Sequence, residues 1–245
     1  MWLYIYLLIA TITIPLAASF EPKISFAKRY KVWAPGMILT ALAFIVWDIA
    51  FTRYNIWGFN KAYLIGANIL YLPIEEWLFF IIIPYACLFI YACCRLWTRK
   101  CLWPHKTIQN ITLIIGISLC VIACFVYKNA YTFTCFTLCG VALLVHAIWL
   151  KSNYLGCFWL TYIIHLIPFL VINGALTGAF TTEPIVWYDD TENLNIRCFT
   201  IPIEDFFYSM LLLLCNISAY EYCITKTKKK GKSLISLKDK GKETL

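Results

Sequence analysis

Residues 73–79 read PIEEWLF, and residues 202–208 read PIEDFFY. Each copy opens a long apolar run and carries two adjacent carboxylic acids directly after a Pro-Ile pair. Acidic side chains are costly inside a bilayer, so acids at the start of a membrane helix are functional candidates. Four of the thirteen acidic residues lie in these two motifs. The repeated motif therefore predicts paired acid and base groups that face one shared cavity.

The composition around the motifs is that of a multi-pass membrane protein. Of the 245 residues, 62% are hydrophobic and 14% are charged, whereas a soluble core of this size needs a more polar surface. The sequence predicts an all-α fold with seven transmembrane helices and no soluble domain. The seven apolar stretches that are long enough to cross a bilayer are residues 1–19, 34–52, 73–94, 107–127, 131–150, 156–175 and 201–224.

The first apolar stretch allows two interpretations. It ends in the small residues Ala17, Ala18 and Ser19, as a cleaved signal peptide does. However, residues 1–19 contain no Lys or Arg, so the charged leading region of a signal peptide is missing. We expect a retained membrane helix.

Basic residues are distributed unequally between the two sides of this seven-span arrangement. One side carries the basic segments 23–31, 95–106 and 226–245 together with Lys151, and the other carries only Arg53, Lys61, Lys128 and Arg197. Basic loops stay in the cytoplasm. We therefore expect a cell-membrane protein with its N-terminus outside, its C-terminus in the cytoplasm and both motifs entering from the outer face. The net charge of +8 then reflects topology and anionic lipids, and nucleic acid is not required.

A second pair of segments is also repeated. Residues 43–52, AFIVWDIAFT, align without gaps to residues 168–177, PFLVINGALT, which places Asp48 opposite Asn173. Predicted helices two and three therefore correspond to helices six and seven. An offset of four helices gives both copies the same orientation, which predicts a parallel repeat about an axis along the membrane normal.

The repeat divides the chain into four expected segments. Helices one to three form a first repeat, helices five to seven form a second, and helix four links them and restores the orientation. A basic cytoplasmic tail follows. The boundaries that we expect are 1–100, 101–130 for the linking helix, 131–225 and 226–245.

The acids of each motif lie near a helix N-terminus and beside aromatic residues. Two adjacent carboxyls resist joint ionisation, so each pair is suited to hold one proton. Neighbouring helix residues point about 100° apart, so one acid of each pair faces the cavity more than the other, and the sequence leaves open which one. Aromatic faces stabilise cations. We expect a cation-stabilising or substrate-lining role for Trp77, Phe79, Phe80, Phe206 and Tyr208.

A simpler interpretation of the motifs needs no chemistry. The acids would cap helix N-termini, whose partial positive charge favours a carboxylate, and the aromatic residues would form an interfacial belt. Capping alone does not explain why Phe follows the acids in both copies, because the belt favours Trp and Tyr. We therefore prefer the functional interpretation.

Residues 73–76, residues 202–205, Asp48 and the pair Phe59-Asn60 together resemble the membrane-integral lycopene β-cyclases. That family occurs as two small subunits, as one fused chain, and as a fungal domain joined to phytoene synthase. The resemblance covers roughly residues 1–225. It implies conversion of the ψ-ends of lycopene to β-rings, which forms γ-carotene and then β-carotene.

The reaction implied by the resemblance is a proton-initiated carbocation cyclisation without net redox change, so no cofactor and no metal are expected. The expected partners are a carotenoid substrate in the bilayer, membrane lipids and other carotenoid enzymes. The expected roles are principal acid and base for Glu75 and Glu204, proton sharing for Glu76 and Asp205, and orientation of these acids for Asp48 and Asn173.

Two other functions remain open at this stage. The sequence Asp189-Asp190-x-Glu192 could hold Mg²⁺ and a diphosphate, as in a membrane prenyltransferase, although a second acidic cluster is missing and only Arg197 is near. A proton-coupled small-molecule transporter also suits parallel repeats with intramembrane carboxyls.

Three further features argue against other functions. The ten glycines never form Gly-x-Gly, which excludes the usual dinucleotide cradle of a flavin-dependent cyclase. The last span, 201–224, contains no Lys, so it cannot form a retinal Schiff base. The cysteines fall mostly in apolar spans, where thiols behave as small hydrophobes. His146 and His165 also lie in apolar spans, and we expect them to be packing residues.

The predicted topology can be tested with reporter tags. A tag beside Asp189 should be accessible only from outside the cell, and a tag after Lys226 only from the cytoplasm, because an odd number of spans separates the two positions. Impermeant thiol labelling of intact and lysed cells measures this. Accessibility of both tags from one side would contradict the parallel repeat.

Overall fold

The computed structural model describes residues 2–98 and 103–240, with side chains described as far as Thr227. Arg99, Lys100 and Cys101, on which part of the basic-loop and thiol predictions rests, lie outside the described residues. Of the chain, 71% is helical, which confirms the all-α class. The seven α-helices of the described part are α1 (Leu3–Ala18), α2 (Tyr30–Arg53), α3 (Ile74–Trp97), α4 (His105–Phe125), α5 (Ala130–Leu144), α6 (Leu155–Leu176) and α7 (Ile203–Lys240).

Six of these helices, α2 to α7, are long and apolar enough to cross a membrane. Helix α5 reaches this length together with the π-helical turn Val145–Trp149 that continues it. The protein is therefore a multi-pass membrane protein. Helix α1 is also apolar but has only 16 residues, about 24 Å at 1.5 Å per residue, and a seventh crossing stays a prediction.

Helix α1 is packed as part of the bundle. It lies mainly against α3, with Tyr4 and Leu8 fully buried. The first helix thus contributes a buried face to the bundle, and its retention stays a prediction.

Both acidic motifs begin a helix, as predicted. Pro73 stands directly before α3 in an extended conformation, and Pro202 stands directly before α7. Glu75 and Glu76 occupy the first turn of α3, and the acids of the second motif occupy the first turn of α7. The proline ring fits this boundary because the backbone N–H that it lacks would have no partner within the helix.

Three short antiparallel strand pairs, which the sequence did not predict, lie between the helices in the described ranges. Two are hairpins that lead directly into the motifs, and the third joins the loop before α3 to the loop before α7. This third pair ties the two halves of the chain together over one end of the bundle. The pairs are β1 (Trp57–Phe59) with β4 (Val186–Tyr188), β2 (Asn68–Ile69) with β3 (Leu72–Pro73), and β5 (Arg197–Cys198) with β6 (Ile201–Pro202).

The two halves make matching contacts. The backbone N–H of Ile74 donates to Ala67, seven residues earlier, and that of Ile203 donates to Ile196 at the same spacing. Helix α1 packs on α3, and α5 packs on α7. These correspondences support the predicted parallel repeat, which stays a prediction, as do the segment boundaries derived from it.

Helices α2 and α7 approach each other very closely at Gly36. A Cβ atom built on Gly36 would lie 2.5 Å from the Cβ of Ala219, which is inside van der Waals contact. Gly174 in α6 is different, because the nearest atom to its Cβ would be 3.7 Å away. The packing of α2 on α7 therefore requires glycine at position 36.

Gly36→Ala should lower the thermal unfolding midpoint of the detergent-solubilised protein, because overpacking a tight interface destabilises by about 1–3 kcal/mol. Gly174→Ala is the matched control, and its midpoint should stay level or rise, since alanine favours the helix by about 1 kcal/mol. Equal midpoints for the two variants would contradict the close approach.

Candidate active site

A cavity of about 120 Å³ lies inside the bundle, and both halves of the chain contribute to its wall. The wall contains residues of α1, α2, α3, α5, α6 and α7 and of the β1–β4 pair. Of the residues predicted to form the site, those that line the cavity are Asp48, Glu76, Phe79, Asn173, Asp205 and Tyr208. Those that do not are Glu75, Glu204, Trp77, Phe80 and Phe206.

Glu76 faces the cavity from the first turn of α3. The hydroxyl of Tyr4 in α1 donates a hydrogen bond to its Oε2 over 2.5 Å. Its Oε1 has no hydrogen-bond partner among the described residues, and the side chain adjoins the cavity. The residue is 7% exposed, so this carboxyl meets the cavity and not the surrounding solvent.

Asp48 reaches the same cavity from α2. The indole N–H of Trp57 donates to its Oδ1 over 2.5 Å, and its Oδ2 is buried without a partner in the described part of the chain. Trp57 belongs to β1, so the strand that joins the two halves also orients this acid.

Asp205 is held by three donors from three elements. Tyr131 of α5 donates to Oδ1 over 2.5 Å. Asn173 of α6 and Tyr188 of β4 donate to Oδ2 over 2.7 Å and 2.9 Å. Burial, together with the neighbouring Asp205 carboxyl, raises the pKa of Tyr188 well above its ordinary value, so its phenol remains a neutral donor.

Glu75 and Glu204 make a different set of contacts. Oε1 of Glu75 accepts the backbone N–H of Ile65 over 2.6 Å. Oε1 of Glu204 accepts the backbone N–H of Leu194 over 2.8 Å and the hydroxyl of Thr132 over 2.6 Å. Both side chains are fully buried. The first acid of each motif thus binds the loop that precedes its own helix, and the second acid faces the cavity.

The predicted aromatic residues divide in the same way. Phe79 and Tyr208 line the cavity. Trp77 instead donates its indole N–H to Ile69 in the preceding hairpin, and Phe80 and Phe206 pack against Phe44 and Phe169. These three residues do not line the cavity, because successive helix positions point in different directions.

Sequence reasoning missed several residues of the site. They are brought in by distant segments, since Tyr4 is 72 residues from Glu76 and Tyr131 is 74 residues from Asp205. No local pattern marks such pairs. The only available signal was the equivalent place of Tyr4 and Tyr131 near the starts of predicted helices one and five. The missed residues are Tyr4, Trp57, Tyr131, Thr132 and Tyr188.

The cavity carries no strong positive charge on the residues that the structure describes. Its lining there includes three carboxyl groups but no Lys or Arg, and His165 is its one basic side chain. An apolar cavity does not hold several unpaired carboxylates at once. The described lining therefore offers the three carboxyls neutral hydrogen-bond donors and no Lys or Arg as a partner.

The acidic loop between α6 and α7 does not form a second site in the described part of the chain. Asp189 accepts hydrogen bonds from Thr191, Asp190 pairs with Arg197, and Glu192 accepts the backbone N–H of Ala130. Hydrogen bonding to Thr191 lowers the pKa of the Asp189 carboxyl. Each acid thus serves a separate structural contact, and the described residues contain no cluster suited to a metal ion.

The fold and the cavity define a multi-pass membrane protein that holds three carboxyl groups around a cavity inside a helical bundle. A protein-family model described as Lycopene cyclase matches residues 1–94 and 128–223, and the chain belongs to the lycopene cyclase family. The matched segments leave out residues 95–127, which contain α4. No curated protein and no solved structure gives a significant match to the chain.

The two acids of one motif should differ in their effect on the preceding loop. Glu75→Ala leaves the partly buried Ile65 N–H without its acceptor, which removes the roughly 0.5–1.5 kcal/mol that a typical hydrogen bond contributes. Deuterium exchange over residues 60–72, measured by mass spectrometry, should therefore become faster. Glu76→Gln is the control and should leave this segment unchanged. Equal exchange in both variants would contradict the division of roles.

Proposed function

We propose that the chain is a lycopene β-cyclase that converts ψ-ends to β-rings, forming γ-carotene and then β-carotene. Membership of the lycopene cyclase family makes a carotenoid cyclase the starting point. The observation that carries the specific proposal is the cavity in which carboxyls from both motifs meet among aromatic side chains, with no Lys or Arg among its described lining residues.

The reaction needs one proton donor and one proton acceptor. A carboxylic acid protonates C2 of the terminal double bond, which leaves a tertiary cation at C1. The 5,6-double bond attacks C1, the ring closes, and the charge moves to C5. Loss of the proton on C6 to a carboxylate forms the 5,6-double bond of the β-ring. One proton is gained and one is lost, so substrate and product are isomers.

Among the acids, the geometry favours Glu76 and Asp205 as the groups that touch the reacting atoms, because both line the cavity. Glu75 and Glu204, which we expected from the sequence to be the principal acid and base, are better suited to positioning, since each binds a loop backbone. A proton transfer requires the donor within hydrogen-bond reach of the carbon that accepts it. Acids outside the cavity wall do not meet this condition.

The rest of the wall suits a carbocation. Phe79, Trp57, Phe169 and Tyr208 bring aromatic faces to the cavity, and such faces attract a positive charge. Most of the remaining lining is apolar, which keeps water from trapping the cation. The same lining would accept a hydrocarbon substrate from the bilayer.

The size of the cavity supports cyclisation of one end at a time. About 120 Å³ is enough for part of a terminal segment but far too small for the whole polyene. Pro168 lines the cavity and is also exposed on the surface of α6, so this side adjoins the lipid. We propose that the carotenoid arrives from the bilayer of the cell membrane, that the N-terminus lies outside, and that other carotenoid enzymes supply the substrate.

Expression in a lycopene-accumulating bacterium tests the proposal. The wild type should turn red cells orange or yellow without an added cofactor. Glu76→Gln and Asp205→Asn should each lower cyclisation by about 10²–10⁴-fold, the usual contribution of a general acid or base. Product analysis by chromatography should then show lycopene and no accumulated γ-carotene, since one cavity performs both ring closures.

Asp190→Asn is a suitable control, because Asp190 is an acid outside the cavity and pairs with Arg197 at the surface. It should keep the wild-type products. Unchanged lycopene in cells whose membranes contain the wild-type protein would overturn the cyclase proposal and favour a transporter. Accumulation of γ-carotene in the single variants would instead assign one end of lycopene to each half.

A further inference from the structure

We infer that the two halves have diverged into a proton donor and a proton acceptor: Glu76, with Asp48, protonates C2, and Asp205 removes the proton from C6. This inference rests on the proposed function. It concerns the direction in which the proton moves through the cavity, which the duplicated motif leaves open.

The comparison between the halves is anchored by the β1–β4 pair. Phe59 in β1 and Tyr188 in β4 each lie fourteen residues before the proline of their motif. The next residues, Asn60 and Asp189, each accept a backbone N–H from two residues further on. Phe59 and Tyr188 thus occupy equivalent places, and both line the cavity.

One donor is the same in both halves. Tyr4 donates to Glu76 and Tyr131 donates to Asp205, each over 2.5 Å. Apart from the extra methylene group of Glu76, the differences between the two cavity acids therefore come from other neighbours.

The first difference is the phenol of Tyr188. Its hydroxyl donates to Asp205 over 2.9 Å, whereas the equivalent Phe59 has no hydroxyl to offer Glu76. Asp205 therefore gains a hydrogen bond to its charged form that Glu76 lacks, and such bonds favour a carboxylate.

The second difference is the pair Asn173 and Asp48, which the repeat places opposite each other. Asn173 donates its amide N–H to Asp205 over 2.7 Å. Asp48 adds a second carboxyl beside Glu76 in place of an amide donor. Two carboxyls without a cation between them keep protons, because joint ionisation is unfavourable.

Both differences act in the same direction. Both oxygens of Asp205 accept hydrogen bonds, three in all among the described residues, and hydrogen bonds to a carboxylate favour its charged form. Glu76 has one donor within the described ranges, and its other oxygen is left for the cavity. The first half is therefore arranged to give a proton, and the second half is arranged to take one.

The proton balance follows from this arrangement. In the proposed cycle Glu76 and Asp48 both start as neutral acids; Glu76 gives its proton to C2, and the resulting carboxylate then shares the proton of Asp48. Asp205 takes the C6 proton and becomes a neutral acid. Transfer of that proton back to the first half, directly or by exchange with water, restores both groups for the second ring.

The type of ring that forms reports on the acceptor separately from the donor. The C5 cation can lose a proton from C6, from C4 or from the methyl group on C5, which gives β-, ε- or γ-rings respectively. A poorly held acceptor allows loss from the other two positions. A weakened donor slows cyclisation but does not change which proton the C5 cation later loses.

The experiment compares variants of the two halves in the lycopene-accumulating strain. Tyr188→Phe should raise the fraction of ε- and γ-rings at least about fivefold, and Asn173→Leu, which removes the other distinctive donor, should do the same. Asp48→Asn should lower total ring formation by at least about tenfold with the β-ring fraction unchanged. Tyr220→Phe, a buried tyrosine outside the cavity, is the matched control and should keep wild-type products.

The inference is overturned if Asp48→Asn shifts the ring type, or if both Tyr188→Phe and Asn173→Leu leave it unchanged with the proteins present in the membrane. If such a result is obtained while the wild type still forms β-rings, only the assignment of donor and acceptor is refuted. A wild type that forms no rings removes the proposed function itself.

Discussion

The structure depends on one constraint, which is the burial of carboxyl groups around a cavity whose described lining offers them no Lys or Arg. A buried acid is tolerated only when hydrogen bonds or protonation compensate its lost hydration. Here the compensation comes from neutral donors on separate elements. Tyr4 brings in α1, Trp57 brings in β1, and Tyr131, Asn173 and Tyr188 bring in α5, α6 and β4. The need of the buried carboxyls for hydrogen-bond donors thus explains why these elements meet at one cavity.

The same constraint separates the two acids of each motif. The side chains of adjacent helix residues point about 100° apart, so they meet different surroundings. Glu75 and Glu204 satisfy backbone N–H groups of the preceding loops, which fixes where α3 and α7 begin. Glu76 and Asp205 face the cavity. One acid of each motif therefore bonds to the backbone of the preceding loop, and the other adjoins the cavity.

The proposed cyclisation passes through a carbocation, which requires a cavity that excludes water. Aromatic and aliphatic side chains dominate the lining, and the β1–β4 pair joins the two loops over one end of the bundle. The same cavity wall therefore presents aromatic faces that attract a positive charge and apolar side chains that exclude water. The two cavity acids have unequal sets of hydrogen-bond donors, one for Glu76 and three for Asp205 among the described residues, and the proposed direction of proton movement rests on this difference.

The sequence by itself determined the helices and the acids. Long apolar stretches must become helices in a bilayer, because only internal hydrogen bonds satisfy the backbone there, and the PIE motifs marked two helix starts that the structure confirms. Only the tertiary structure decided which acid faces the cavity, because both neighbours are acids and only their surroundings distinguish them. It also supplied Tyr4 and Tyr131, whose partners are 72 and 74 residues away. Contacts over such separations depend on helix packing, which leaves no local pattern in the chain.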